Sequence, residues 1–195
     1  MDRYPASIVS KLSSLSHAGK GVDSENSNGV SVDFQCGTSI SVSMAIDETT
    51  KVIGEISYKS SACGFSLAFA EYVAVFLEGR SLTDLKGDWP SECLTGFSVE
   101  VGPMQSGRMP CLVMVTDAFA LALKDFRSRS LSSFEGESPL VCSCFGVSED
   151  VLEKLLTSCK ASTVSELTEM TNAGGGCGSC LMILRDMVES RLLDL

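Results

Sequence analysis

The stretch NAGGGCGSC, running from Asn172 to Cys180, sets three consecutive glycines ahead of two cysteines spaced two residues apart. A Cys-x-x-Cys pair can close a disulfide, grip zinc or hold an iron–sulfur cluster. Upstream, VCSCFG supplies Cys142 and Cys144, so the full pattern is C-x-C, the 32 residues from 145 to 176, then C-x-x-C. Four thiolates, on Cys142, Cys144, Cys177 and Cys180, satisfy a [2Fe-2S] cluster. Each pair sits on a loop before a predicted helix. A helix N-terminus carries partial positive charge and open N–H groups, which favour thiolate over thiol. The glycines remove Cβ atoms, so the backbone can run close to a bulky anionic cluster and adopt positive φ. A four-cysteine zinc site and a redox disulfide are the rivals. Zinc is the stronger by ligand type, but its cysteine pairs usually lie closer in sequence.

The totals agree with metal chemistry. Nine cysteines in 195 residues are many, and the odd number argues against a disulfide framework. The only histidine, His17, lies far from any cysteine in sequence, which disfavours a Cys/His zinc site; a surface or capping role is expected for it. The formal net charge of −10 argues against nucleic acid as a partner. No apolar run is long enough to span a bilayer. The opening MDRYPASIVSKLSSLSHAGKG lacks the apolar core of a secretory signal, so a cytoplasmic location is expected.

Ahead of the cysteine pairs the chain reads as mixed α and β. Ile40, Val42, Met44 and Ile46 alternate with small polar residues, DETT (Asp47–Thr50) makes a turn, and KVIGEISYK continues in extended style, giving a hairpin over 38–58. Gly64–Glu78 carries a helical pattern that Gly79 stops. FSVEV (Phe97–Val101) reads as a third strand, and residues 110–126 as a second long helix with Pro110 in its first turn. RSRSLSSFEGESP (Arg127–Pro139) is serine-rich and aperiodic, which suggests a linker. Beyond it, Ser148 suits an N-cap, and Val151, Leu152, Leu155, Leu156 and Cys159 form an apolar face. Thr163 and Glu166 form a capping box, and Leu181, Leu184, Val188 and Leu192 line a last helix. Cys159 is expected to be a buried packing residue. So few residues bury little core, and a bound metal centre would add stability.

The C-terminal pattern resembles the bacterioferritin-associated-ferredoxin-like (BFD-like) [2Fe-2S] domain, from Val141 to about Leu193. In front of it, DFQCGTSISVSMAID, then GEISYKSSACGFSLAFAEYVAVFLEGRSLTDL, then RMPCLVMVTDAFALALKDF resemble, in order, the scaffold domain of the NifU and IscU family. YPASIVSKLSSLSHAGKG is similar to that family's N-terminal helix and the turn after it. The order of the two domains resembles the front two-thirds of NifU, and no counterpart of the third NifU domain is read in the sequence.

The resemblance implies an α+β fold: a scaffold domain over residues 1–127 with a small antiparallel sheet packed by helices, a linker over 128–139, and a small all-α [2Fe-2S] domain over 140–195. It implies a transient cluster, or iron, on Cys36, Cys63 and Cys111, beside a permanent [2Fe-2S] cluster on Cys142, Cys144, Cys177 and Cys180. The implied activity is cluster assembly rather than enzymatic turnover. A cysteine desulfurase is the implied sulfur donor and apo iron–sulfur proteins the recipients. An Hsp70-type chaperone and a second copy in a homodimer are further candidate partners. Two departures stand out. Thr38 replaces the aspartate that the family usually carries two residues after the first cysteine, and Pro110 replaces the histidine often found before the third. They motivate an alternative, a ferredoxin-like redox or regulatory protein whose front domain only docks partners. Cys93 is expected to be incidental.

Overall fold

The computed structural model describes residues 4–19, 23, 25–85, 88–103, 106–158, 160–176 and 178–193. Cys159 and Cys177 lie outside the described residues, as does the side chain of Leu192. The chain divides into two compact units, Met1–Arg80 with Asp88–Asp125 and Ser81–Gly87 with Phe126–Leu195.

The first unit opens with helix α1 (Ala6–Leu12), followed by strands β1 (Ser27–Asp33), β2 (Thr38–Ile46) and β3 (Ile53–Ser60). They form an antiparallel meander in the order β1-β2-β3, with Ser27 opposite Met44 and Val42 opposite Tyr58. The expected hairpin is β2–β3. Ile40, Val42 and Met44 are fully buried, as the two-residue alternation requires. At its turn the Asp47 carboxylate accepts hydrogen bonds from the Thr49 and Thr50 amides. β1 is an addition to the sequence reading. Its apolar residues, Val30 and Val32, are exposed, and the face it buries is presented by Ser27 and Gly29.

Helices α2 (Gly64–Leu77), α3 (Trp89–Val101) and α4 (Met109–Ser132) follow. Gly79, at φ +79°, ends α2 as expected. FSVEV is not a strand: it forms the last turns of α3. Trp89, Cys93 and Phe97, spaced by four, are all buried, and that helical period outweighs the local β preference of Val99 and Val101. Phe97 packs against Phe69 and Tyr72 of α2 at ring-centroid distances of 5.0 and 5.6 Å. α4 also runs further than the sequence suggests, so the serine-rich stretch is helical as far as Ser132. Serine costs a helix only a few tenths of a kcal/mol per residue.

α4 lies directly on β1. A Cβ added to Gly29 would fall on the Ala118 carbonyl oxygen and 2.5 Å from the Ala122 amide nitrogen. Beside this contact the Asn28 amide donates to the Asp125 carboxylate at 2.9 Å.

His17 is buried, contrary to the surface or capping role expected for it. Its Nδ1 lies 2.8 Å from Glu71 and its Nε2 3.1 Å from Glu78. Ser16 and Tyr58 also donate hydrogen bonds to Glu71. Burial alone lowers the His17 pKa, but the two carboxylates outweigh it and raise the pKa above its ordinary 6.5. Burial likewise pushes Glu71 up, yet the hydrogen bonds from Ser16, His17 and Tyr58 hold it at about 2.

In the second unit, β4 (Leu140–Cys142) and β5 (Val147–Ser148) form a two-stranded ribbon that the sequence did not suggest. Helices α5 (Glu149–Thr157), α6 (Val164–Thr171) and α7 (Leu181–Leu193) complete it. Leu152 and Leu156 of α5, Leu167 of α6, and Leu184 and Val188 of α7 are buried. Val151, placed on the apolar face by its sequence position, is exposed. The Thr163–Glu166 capping box is present as expected.

Two outcomes follow. Gly29→Ala forces α4 away from β1 and is expected to cost about 3 kcal/mol, read as a lowered denaturation midpoint of the first unit. Protonated His17 stabilises the fold below pH 6.5, and that contribution fades as pH rises through its elevated folded value. Wild type should therefore lose more stability than His17→Gln between about pH 6 and pH 8 in urea titrations; parallel curves would refute it.

Candidate metal and cluster sites

Cys36, Cys63 and Cys111 come from three different elements, and the structure groups Cys36 and Cys111 closely with Asp33 while Cys63 stands outside that group. Cys36 is exposed in the β1–β2 loop, followed by Gly37 at φ +64°, a left-handed turn position that suits glycine. Cys63 occupies the N-cap of α2, and Cys111 is buried in the first turn of α4. The sulfurs of Cys36 and Cys111 and a carboxylate oxygen of Asp33 all lie within 4.8 Å of one another. Cys63 is near enough to Cys111 to act on its ionisation. The Cys111 thiol is raised, first by burial and then by negative charge at Cys63, Cys36 and Asp33. A thiol disfavoured as an anion by such neighbours suits a cation, whose arrival displaces its proton.

Cys63 is biased the other way. Burial raises its pKa, but the Ser66 and Phe65 amides, the Ser66 hydroxyl and the Arg108 guanidinium lower it below the ordinary 9.0. Arg108 Nη1 stands 3.9 Å from the sulfur, with its guanidinium 4.8 Å from the Phe65 ring centre. The hydroxyl of Tyr4 accepts the Gly64 amide at 3.1 Å. A Cβ on Gly64 would press to 2.9 Å from both Tyr4 and Leu12, so this glycine admits the N-terminal segment beside Cys63. The Thr38 hydroxyl turns to the Met114 sulfur at 3.8 Å. Cys93 is remote in chemistry as well as sequence, its thiol pushed up to about 12 by burial.

Asp33, Arg108 and Tyr4 were not read from the sequence. The available signal was the spacing Asp-x-x-Cys at the end of a strand. There the Asp33 Oδ1 accepts the Gln35 and Cys36 amides at 2.8 and 3.3 Å, a local turn that Asp favours.

The second unit gathers its own thiols. Cys142 ends β4, Cys144 lies in the β4–β5 turn and Cys180 precedes α7; all three are buried. The Cys142 sulfur hydrogen-bonds with Cys144 and Cys180 and accepts the Phe145 and Gly174 amides, which together hold its pKa well below 9.0 despite burial. Arg127 Nε donates to the Ser143 hydroxyl at 2.9 Å, fixing the residue between the two β-ribbon cysteines. The glycines have separate tasks. Gly174 takes φ +86°, as the expected positive φ allows. Gly176 makes room for a neighbour: a Cβ there would meet Phe145 at 3.1 Å and the Cys144 Cβ at 3.6 Å. The donor set fits a thiolate-bound [2Fe-2S] cluster, with buried sulfurs and amides that supply hydrogen bonds. Cys177, the fourth expected ligand, lies outside the described residues.

Comparison with known proteins bears on both sites. The family model for the NifU-like N terminal domain matches residues 3–133. The chain belongs to the NifU-like N-terminal domain family. Residues 140–190 of this NifU-like chain match the BFD-like [2Fe-2S] binding domain. It is 25% identical over 160 residues to the nitrogen fixation protein NifU of Trichormus azollae, covering 79% of this chain and 51% of that one. To the NifU of Azotobacter chroococcum mcd 1 the identity is 26%, covering 82% and 50%. The chain thus spans about half the length of the curated relatives it matches. The mitochondrial iron sulfur cluster assembly protein 1 of Eremothecium gossypii is 27% identical over 94 residues, covering 48% and 58%. The crystal structure of a nitrogen-fixing NifU-like protein (N-terminal) from Brucella abortus superposes with a TM-score of 0.50 at 14% identity, covering 65% of this chain and 95% of that one. That superposition shows a shared α+β fold.

Cys142→Ser is expected to remove most of the visible absorption and acid-labile sulfide of the C-terminal cluster and to lower the full chain's melting temperature. Absorption spectra with iron and sulfide assays read this directly; an unchanged spectrum counts against the ligand set.

Proposed function

We propose that this NifU-like chain is an iron–sulfur cluster assembly scaffold. Residues 1–127 form its scaffold domain, 128–139 its connection, and 140–195 its cluster-binding domain. A cluster is built as cargo on Cys36, Cys63 and Cys111 and is passed to apo-proteins. A cysteine desulfurase supplies the sulfur, an Hsp70-type chaperone and a second copy of the chain are candidate helpers, and the setting is cytoplasmic. We assign no enzymatic turnover. Among the described residues no helix is long and apolar enough to cross a membrane.

The observation that carries the reading is the convergence of two thiols and a carboxylate at an exposed loop in the unit matched by the NifU-like N-terminal model. A cargo site has to be open to incoming iron and sulfur, and Cys36 is exposed. Cys63, its pKa lowered beside Arg108, stands close enough to Cys111 to influence it and brings the third sulfur. Cys142, Cys144, Cys177 and Cys180 hold the resident [2Fe-2S] cluster, which when bound supplies one-electron transfer. The amides of Phe145 and Gly174 stabilise the thiolate charge on Cys142 there.

A redox-only reading draws on Thr38, whose hydroxyl faces Met114 where the family usually has a carboxylate. It predicts a chain that holds only the iron of its C-terminal cluster and transfers none. Incubation with a cysteine desulfurase, cysteine, ferrous iron and a thiol reductant separates the two. Wild type is expected to gain iron and sulfide beyond the resident cluster and to activate an apo-ferredoxin. The combined Cys36→Ala, Cys63→Ala, Cys111→Ala variant is expected to gain neither. Equal loading of the two proteins would defeat the scaffold reading.

A further inference from the structure

The site that has lost its usual carboxylate at position 38 has another within reach. We infer that Asp33 is the oxygen ligand of the iron cargo, entering from the β1 side of the loop and completing a Cys36, Cys63, Cys111 and Asp33 ligand set. The inference rests on the scaffold reading and assigns it a further ligand.

Three observations carry it. An Asp33 oxygen lies within 4.8 Å of the sulfurs of both Cys36 and Cys111, the only such group among the described residues. A tetrahedral metal with bonds of about 2.1–2.3 Å sets its ligand atoms roughly 3.5–3.8 Å apart, so these three draw in by up to about 1 Å, and Cys63, which stands outside the group, has to close in as well. Cys36 and Asp33 flank an exposed loop, which can supply that movement. Second, Asp33 is already oriented. Its Oδ1 accepts the Gln35 and Cys36 amides, which fixes the carboxylate against the loop that carries the cysteine. A carboxylate offers two oxygens and several lone pairs, so ligation is compatible with the turn. Third, Thr38 is committed elsewhere, to Met114 on α4, and its neutral hydroxyl is a weak donor to a metal.

The chemistry suits a passing cargo. Three thiolates alone would hold iron softly and tightly, whereas a harder carboxylate corner provides a position that water or an acceptor thiolate can take over. The ligand change keeps the charge at the corner that the family's usual aspartate supplies, and moves it from the β2 side of Cys36 to the β1 side.

Cobalt(II) titration tests this anaerobically, on the full chain carrying its C-terminal cluster. Asp33→Asn keeps an oxygen that can accept the two amides, so the turn survives while the anionic ligand is lost. Asp33→Asn is expected to weaken cobalt binding about tenfold or more, with the thiolate-to-cobalt absorption of the bound metal retained. Adding Thr38→Asp to Asp33→Asn is expected to recover most of the affinity. Wild-type affinity in Asp33→Asn overturns the inference. So does a loss that Thr38→Asp fails to recover, which would assign Asp33 to holding the loop. The triple cysteine variant separates the two levels: if it binds cobalt as wild type does, the scaffold reading itself fails. If only Asp33→Asn behaves as wild type, the scaffold reading stands and the oxygen ligand is lost.

Discussion

Helix α4 rests against β1 at Gly29 so closely that no side chain fits between them. The rest of the first unit's chemistry depends on that approach. Cys111 sits two turns up α4 from Ala118, and Asp33 lies at the end of the strand on which the helix is seated. Residues that are far apart in sequence meet because one strand presents bare backbone to one helix. The Asn28–Asp125 hydrogen bond adds a second tie beside the first, one turn further along α4. The position of Cys111 relative to the β1–β2 loop thus owes much to a backbone contact rather than to flexible side chains alone.

The second constraint is electrostatic. Glu71 is a buried carboxylate in the middle of α2, and such a charge is costly unless it is fully hydrogen-bonded. Ser16, His17 and Tyr58 meet that need, drawn from the segment after α1 and from β3. The network fastens the N-terminal segment to α2, whose N-cap is Cys63 and whose first amide reaches Tyr4. The N-terminal segment thus contributes to the cysteine site by holding the helix that presents one of its thiols.

Much of this was legible in the sequence, where periodicity was strong and contacts were local. The alternation through Ile40, Val42 and Met44 gave β2, the glycine at 79 gave the end of α2, and the Thr163–Glu166 spacing gave a cap. Cys36, Cys63 and Cys111 were found by resemblance, since their spacing carries no local signal. What stayed hidden was decided across the fold. β1 escaped because it buries serine and glycine, and exposes its valines. FSVEV was misread because a five-residue window cannot see Trp89 and Cys93 setting the helical period. His17 looked peripheral because its two carboxylate partners are more than fifty residues away. Asp33 went unread because its nearness to Cys111 exists only once α4 is seated on β1.

The exposure of the three thiols is graded: Cys36 lies open, Cys63 is half-covered and Cys111 is buried. An incoming reagent therefore meets the site as a funnel rather than a plane. Electrophiles and oxidants reach Cys36 first, and a cation that has passed it is led toward an inner thiol they reach last. The grading gives the site a direction, with a mouth at the loop and a floor at the helix. A ligand held there would be covered on the α4 side by the helix that buries Cys111 and open on the side of Cys36.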